Sequence, residues 1–202
     1  MESHERRALE YGQNLSARGV PIPQTEWLET GIPASLFEVM QRNGFEQAVI
    51  KPTISATAHM TFRTALATAQ HDQTWLDEIL RSSGVMVQAF VEEVITQGEW
   101  SLLFFNKKFS HAILKQPRAG DFRVQSDFGG SVKTALPSPS LIAQAEALLA
   151  MVDAPLLYAR VDGVERNGQL LLIELELIEP QLFLSFSSEA RARFAEAIAG
   201  LP

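Results

Sequence analysis

The chain contains no cysteine. That absence removes disulfides, thiolate metal sites and cysteine nucleophiles, and it is compatible with a reducing, cytoplasmic setting. No stretch approaches the ~20 consecutive apolar residues that a membrane span requires. There is no basic excess either: 17 Lys and Arg stand against 24 Asp and Glu, a net charge of −7. Nucleic-acid affinity in general wants a basic face, so that class is set aside. The opening residues, MESHERRALEYGQN, are polar and charged and do not read as a signal peptide. No internal repeat and no low-complexity tract is visible. What remains is 202 residues, 46% hydrophobic and 20% charged, the balance of a globular chain with a sizeable core. The length suits one domain or two small ones.

One stretch stands out, residues 156–180, LLYARVDGVERNGQLLLIELELIEP. It reads as two strands and a turn. Residues 156–164 are apolar and β-favouring apart from Asp162. Asn167-Gly168 is a strong hairpin signal, because both residues tolerate positive φ. Residues 170–178 form an apolar run interrupted by Glu174 and Glu176. A period of two places those acids on one strand face, and Ile173, Leu175 and Leu177 on the other. Carboxylates on a greasy strand are costly to bury unless something cationic sits between them. Register decides whether Asp162 joins them. A two-residue loop puts Asp162 opposite Ile173; a three-residue loop puts it opposite Glu174. In the second case three carboxylates converge, and Mg²⁺ held by carboxylates plus substrate phosphates suits the cluster. The alternative is three solvated acids on an exposed sheet face.

The rest of the chain mixes helices with antiparallel hairpins. Residues 4–18 read as a helix with a thin apolar stripe, and residues 19–23 as extended because prolines fix φ. Residues 24–31 read as a connector. Ser35 is a candidate cap for a helix through Asn43 with Leu36, Val39 and Met40 inward and Gly44 at its end. A short buried strand, 48–52, carries Lys51. Residues 53–64 are small and hydroxyl-rich, a mobile loop returning into a strand near 59–63. A helix follows over 72–83 with Trp75, Ile79 and Leu80 inward, then a strand over 85–91. Residues 98–105 and 110–115 pair as a hairpin, 116–131 read as an irregular loop, and 140–152 and 188–200 as helices, the last capped by Ser188. The fold class is α+β.

Several separated pieces, taken together, resemble the ATP-grasp superfamily, nearest its glutathione-synthetase-like branch and the cyclo-ligase branch of cycloserine biosynthesis. They are VIKP (49–52), MVQAFVEE (86–93), GEWS (98–101), QPRAGDFRVQSDFGGS (116–131) and YARVDGVE with LIELELIEP. Their order and spacing carry the likeness, which covers most of the chain. The resemblance implies two α+β subdomains with antiparallel sheets enclosing a nucleotide, here 19–88 and 89–202 after a remnant at 1–18. It implies Lys51 on a phosphate, and Gln88, Ala89, Phe90 and Val91 as the hinge whose backbone meets the adenine edge. It also implies Glu99 near the ribose and Arg123 facing the phosphoryl group in transit, with Arg118 as a second candidate. Asp162, Glu174 and Glu176 match the family's Mg²⁺ ligands. The implied activity is an ATP- and Mg²⁺-dependent carboxylate–amine ligase working through an acyl phosphate. Its substrate would be a small carboxylate or amino-acid-like molecule.

The sequence departs from that pattern in four places. The family's ligases carry an additional N-terminal domain; the expectation here is a fragment, a stand-alone variant, or a protein whose partner chain or homodimer supplies that domain. The nearest basic residues to the family's earlier phosphate lysine are Arg6 and Arg7. The loop at 53–64 lacks the usual glycines, leaving Ser55, Thr57 and backbone amides to substitute, and His59 in it reads as a surface residue. The last strand carries Glu-x-Glu where Glu-x-Asn is common. Two other readings stay open beside the ligase: an ATP-binding module without independent catalysis, and a purely structural α+β domain.

Overall fold

The computed structural model describes residues 15–53, 60–124 and 129–200. The chain divides into two compact units, Met1–Val91 and Glu92–Pro202. Each is built on one antiparallel sheet.

The first unit has a four-stranded sheet in the order β1-β4-β2-β3, with β1 at Thr25–Leu28, β2 at Gln47–Pro52, β3 at Phe62–Ala65 and β4 at Val85–Ala89. Helix α1 (Leu36–Asn43) forms as its sequence dictates. The Ser35 hydroxyl accepts from the Glu38 backbone N–H, and Gly44 closes the last turn. Its inward residues Leu36, Val39 and Met40 are fully buried, each contributing roughly 2 kcal/mol of apolar burial. Helix α2 (Gln73–Leu80) buries Leu76, Ile79 and Leu80. Trp75, expected inward, is 55% exposed and leans on the Phe62 ring at 5.9 Å. The inward stripe runs through Leu76 instead, one position further along the turn. Residues 24–31, expected as a connector, contain strand β1, which pairs along β4 from Thr25↔Gln88 to Leu28↔Val85. Pairing at a sheet edge outweighs the polar composition of that segment. Most of the expected helix at 4–18 and half of the expected loop at 53–64 lie outside the described residues.

The second unit opens with α3 (Glu93–Thr96), one helical turn, and has a five-stranded sheet in the order β7-β6-β5-β8-β9. Its strands are β5 (Glu99–Phe105), β6 (Lys108–Gln116), β7 (Ser131–Thr134), β8 (Tyr158–Arg166) and β9 (Gln169–Glu176). Helices α4 (Pro139–Ala150) and α5 (Ser188–Ala199) pack on the sheet, α4 mainly against β9 and α5 against β5 and β6. Leu102, Phe104, Ile113, Leu141, Leu149 and Val161 fill the core. Strand β7, which begins at the last residue of the expected loop and was not itself expected, is a four-residue edge strand on β6. Helix α5 is capped from Ser187 rather than Ser188, without a side-chain cap bond. No described helix is long and apolar enough to cross a membrane.

Candidate functional site

The hairpin β8–β9 turns through Asn167 (φ 54°) and Gly168 (φ 77°), the two-residue loop. With that loop the simple register would set Asp162 against Ile173. It does not, because the ladder shifts. Gly163 pairs with Leu172, and the next pair is Asp162 with Glu174; Ile173 is skipped as a β-bulge. Both sequence alternatives are therefore half right: the turn is the short one, yet the acids face each other. Gly163 permits the bulge. A Cβ there would sit 2.5 Å from the Leu171 carbonyl oxygen.

Below the bulge the register continues with Val161↔Leu175 and Arg160↔Glu176. Period two then aligns Arg160, Asp162, Glu174 and Glu176 on one face. Across the sheet, Ser101 pairs with Asp162 and Glu99 with Lys115, so both β5 residues and Lys115 of β6 join the same face. Seven polar side chains thus cross four strands in one row.

Asp162 is 1% exposed and receives donors on both oxygens. The Ser101 hydroxyl donates to Oδ1 at 2.6 Å, Lys115 Nζ to Oδ2 at 3.0 Å, and Arg160 Nε to both at 3.0 Å. Arg160 Nη2 lies 2.9 Å from Oδ2 and also pairs with the Glu176 carboxylate. Lys115 Nζ meets Glu99 Oε1 at 2.5 Å. Burial pushes the Asp162 carboxyl up, but Lys115 and Arg160 more than offset this and hold it below the ordinary carboxylate range. Burial likewise disfavours the Lys115 charge, while Asp162 and Glu99 raise its affinity for the proton above the ordinary value. Glu99 is pushed up, mainly by burial, with Lys115 pulling the other way. At so short a contact with an ammonium the charged pair is the state that fits. Glu176 is pushed up to about 7 by burial, against the pull of Arg160. One oxygen from each of Asp162, Glu174 and Glu176 lies within 4.8 Å of the others.

The remaining sequence candidates sit as follows. Lys51 is on β2, paired with Met86. The Gln88 side-chain amide donates to Thr25 Oγ1 at 2.9 Å. The N–H groups of Ala89 and Phe90 donate to the carbonyls of Gln24 (2.8 Å) and Gln47 (3.0 Å). The Phe90 ring lies beneath the Arg63 guanidinium at 3.8 Å, and Val91 is buried. Arg123 is held in two-pronged contact with Asp121 at 3.1 and 2.9 Å, which keeps the Asp121 carboxyl down at about 2. Glu99, expected near a ribose, has Lys115 as its neighbour. Three residues of the network were not foreseen from the sequence: Arg160, Lys115 and Ser101. Arg160 was within reach, since its spacing of two from Asp162 puts both on one strand face. Lys115 and Ser101 needed the cross-strand register.

No family model matches the sequence. The cycloserine biosynthesis protein DcsG of Streptomyces lavendulae is 31% identical over 204 residues, covering 94% of this chain and 67% of DcsG. The crystal structure of D-cycloserine synthetase DcsG superposes with a TM-score of 0.80 at 30% identity, over 96% of this chain and 68% of that one. D-alanine–D-alanine ligase from Bacillus anthracis shares the fold at 15% identity and a TM-score of 0.69, over 96% of this chain and 65% of its own. The ATP-grasp ligase PsnB, solved with a precursor variant, Mg and ADP, does so at 15% and 0.62, over 92% and 55%. The chain belongs to the ATP-grasp superfamily.

For an ATP-grasp protein the acidic row is the place to test for magnesium. The donors are hard carboxylate oxygens, as Mg²⁺ prefers. Ligands at the usual Mg–O length lie about 3 Å apart when adjacent and about 4 Å when opposite. The 4.8 Å spread therefore closes with ångström-scale side-chain movement. Four acids (Glu99, Asp162, Glu174, Glu176) against two cations (Lys115, Arg160) leave two negative charges when all are ionised. The residues fit a divalent ion.

Proposed function

We propose that this chain is an ATP- and Mg²⁺-dependent carboxylate–amine ligase. In this reaction class a substrate carboxylate oxygen attacks the terminal phosphorus of ATP and ADP leaves. An amine then attacks the acyl phosphate carbon, inorganic phosphate leaves, and the amine gives up a proton. Both steps concentrate negative charge, and a bound Mg²⁺ would supply the counter-charge that templates phosphates. Asp162, Glu174 and Glu176 would hold it. Lys51 is the candidate phosphate contact on β2, residues 88–91 the candidate adenine hinge, and Arg123 the candidate guanidinium for the phosphoryl group. The substrate class is a small carboxylate or amino-acid-like molecule.

The single observation that supports this most is the one-face alignment of three carboxylates around a buried guanidinium and ammonium. It occurs in a chain 31% identical to a cycloserine biosynthesis protein. The related D-alanine–D-alanine ligase from Bacillus anthracis has been solved with ATP. The test is ADP release in the presence of Mg²⁺, a panel of small carboxylates and amines. Release that requires both substrates and is lost in Glu174→Gln is the expected result. Tight ATP binding with no substrate-dependent ADP release would instead indicate a binding module. A Glu174→Gln variant with unchanged Mg²⁺-dependent ATP affinity would exclude the site.

A further inference from the structure

Asp162 has no vacant oxygen. An ionised carboxylate offers about four lone-pair sites. Ser101, Lys115 and the two nitrogens of Arg160 occupy them. Any cation that coordinates Asp162 must therefore dislodge a donor. All three donors are buried on interior strands, and the second partner of Lys115 is Glu99, which lies outside the carboxylate trio. Arg160 differs in its second partner. Its guanidinium spans from Asp162 to Glu176 on the edge strand β9, and so bridges two of the three carboxylates that an ion would share.

We infer that Arg160 is a resident counter-ion occupying the metal seat, and that a divalent ion enters only when this guanidinium lets go of both Asp162 and Glu176. The displaced guanidinium needs a new anion, and a nucleotide phosphate provides one bidentately. Metal and nucleotide thereby bind as a coupled pair, each raising the other's affinity by the same factor. Metal alone faces a seat already filled. This inference rests on the proposed ligase reading and concerns how its site is loaded.

Mn²⁺ binding followed by electron paramagnetic resonance tests it, with and without a non-hydrolysable ATP analogue. The wild type is expected to take up Mn²⁺ weakly alone and strongly with the analogue. Arg160→Met should bind Mn²⁺ alone roughly tenfold tighter or more, the scale on which groups beside metal ligands act. It should also lose most of the synergy. Lys115→Met removes an equal charge from the same network without opening the space at Glu176, and should gain clearly less. Equal gains in the two variants, or no gain in Arg160→Met, would overturn the inference. Should Arg160→Met fail to fold by circular dichroism, the wild-type arginine Nε–H resonances answer instead. The Arg160 signal should move when Mg²⁺ and the analogue are added together and stay put with Mg²⁺ alone; a signal unmoved by both added together would overturn it. Glu174→Gln separates the two levels. Mn²⁺ and analogue binding that survive it place the seat elsewhere, and the ligase site then falls along with this inference.

Discussion

Asp162 takes its charge from three donors rather than from water. Removing the smallest of them, Ser101→Ala, leaves one oxygen short of a bond in a buried place and should cost about 1 kcal/mol in urea denaturation. A cost near zero would mean that the hydroxyl is incidental. A second residue reports on pH. His111 is buried between the Ser110 hydroxyl, 3.0 Å from Nδ1, and the Leu182 carbonyl, which accepts from Nε2–H at 3.0 Å. Burial lowers its proton affinity below the ordinary histidine value; the Leu182 carbonyl opposes this, and Arg193 adds to it. The unfolded chain therefore takes up the proton more readily than the folded one. Stability from this residue is complete above about pH 6.5 and drains away as pH falls through the unfolded and then the folded value. Melting temperature should drop less between pH 8 and 5.5 in His111→Gln than in the wild type; parallel curves would refute this.

At the scale of elements the β8–β9 hairpin carries the most information, and it shows where sequence reasoning succeeds and stops. The turn, both strands and the shared face of Glu174 and Glu176 were legible from Asn167-Gly168 and the alternation that follows. Helix α1 was legible to its last residue, because Ser35 and Gly44 mark its ends chemically. The bulge was not, since a bulge is a property of two strands and one strand shows only a glycine. Strands β1 and β7 were missed for a related reason: short edge strands draw their order from a neighbour more than from their own composition. Trp75 shares a helix face with Ile79, yet it lies at the margin of the buried stripe of Leu76, Ile79 and Leu80 and stays exposed, a distinction that spacing alone does not show. The bulge itself can be tested. Gly163→Val drives a side chain into the Leu171 carbonyl and should cost about 3 kcal/mol, the upper range for overpacking. It should also weaken Mn²⁺ uptake, because the opposition of Asp162 and Glu174 depends on the shifted ladder. A stable variant with normal Mn²⁺ uptake would show that the acids align without it.

For the whole molecule, the described residues form two sheets in two units, and the site row is confined to the second. Ligand binding to the native state raises its stability by an amount set by concentration over Kd. ATP with Mg²⁺ at a hundredfold excess over Kd should therefore stabilise the wild type by about 2.7 kcal/mol, read as a rise in melting temperature. Neither ATP alone nor Mg²⁺ alone should approach that, and Glu174→Gln should abolish it. A full shift with ATP and EDTA would disconnect nucleotide binding from the carboxylates.

The acidic row on the second sheet carries its own cations. Four acids crowded on one sheet face would ordinarily push each other apart, and such a domain would need its ion simply to hold together. Here Lys115 and Arg160 already do that work. The protein should therefore stay folded in chelator, and EDTA should leave its melting curve where it was. Under the proposed loading, magnesium would arrive with the nucleotide, and its departure would leave the scaffold intact.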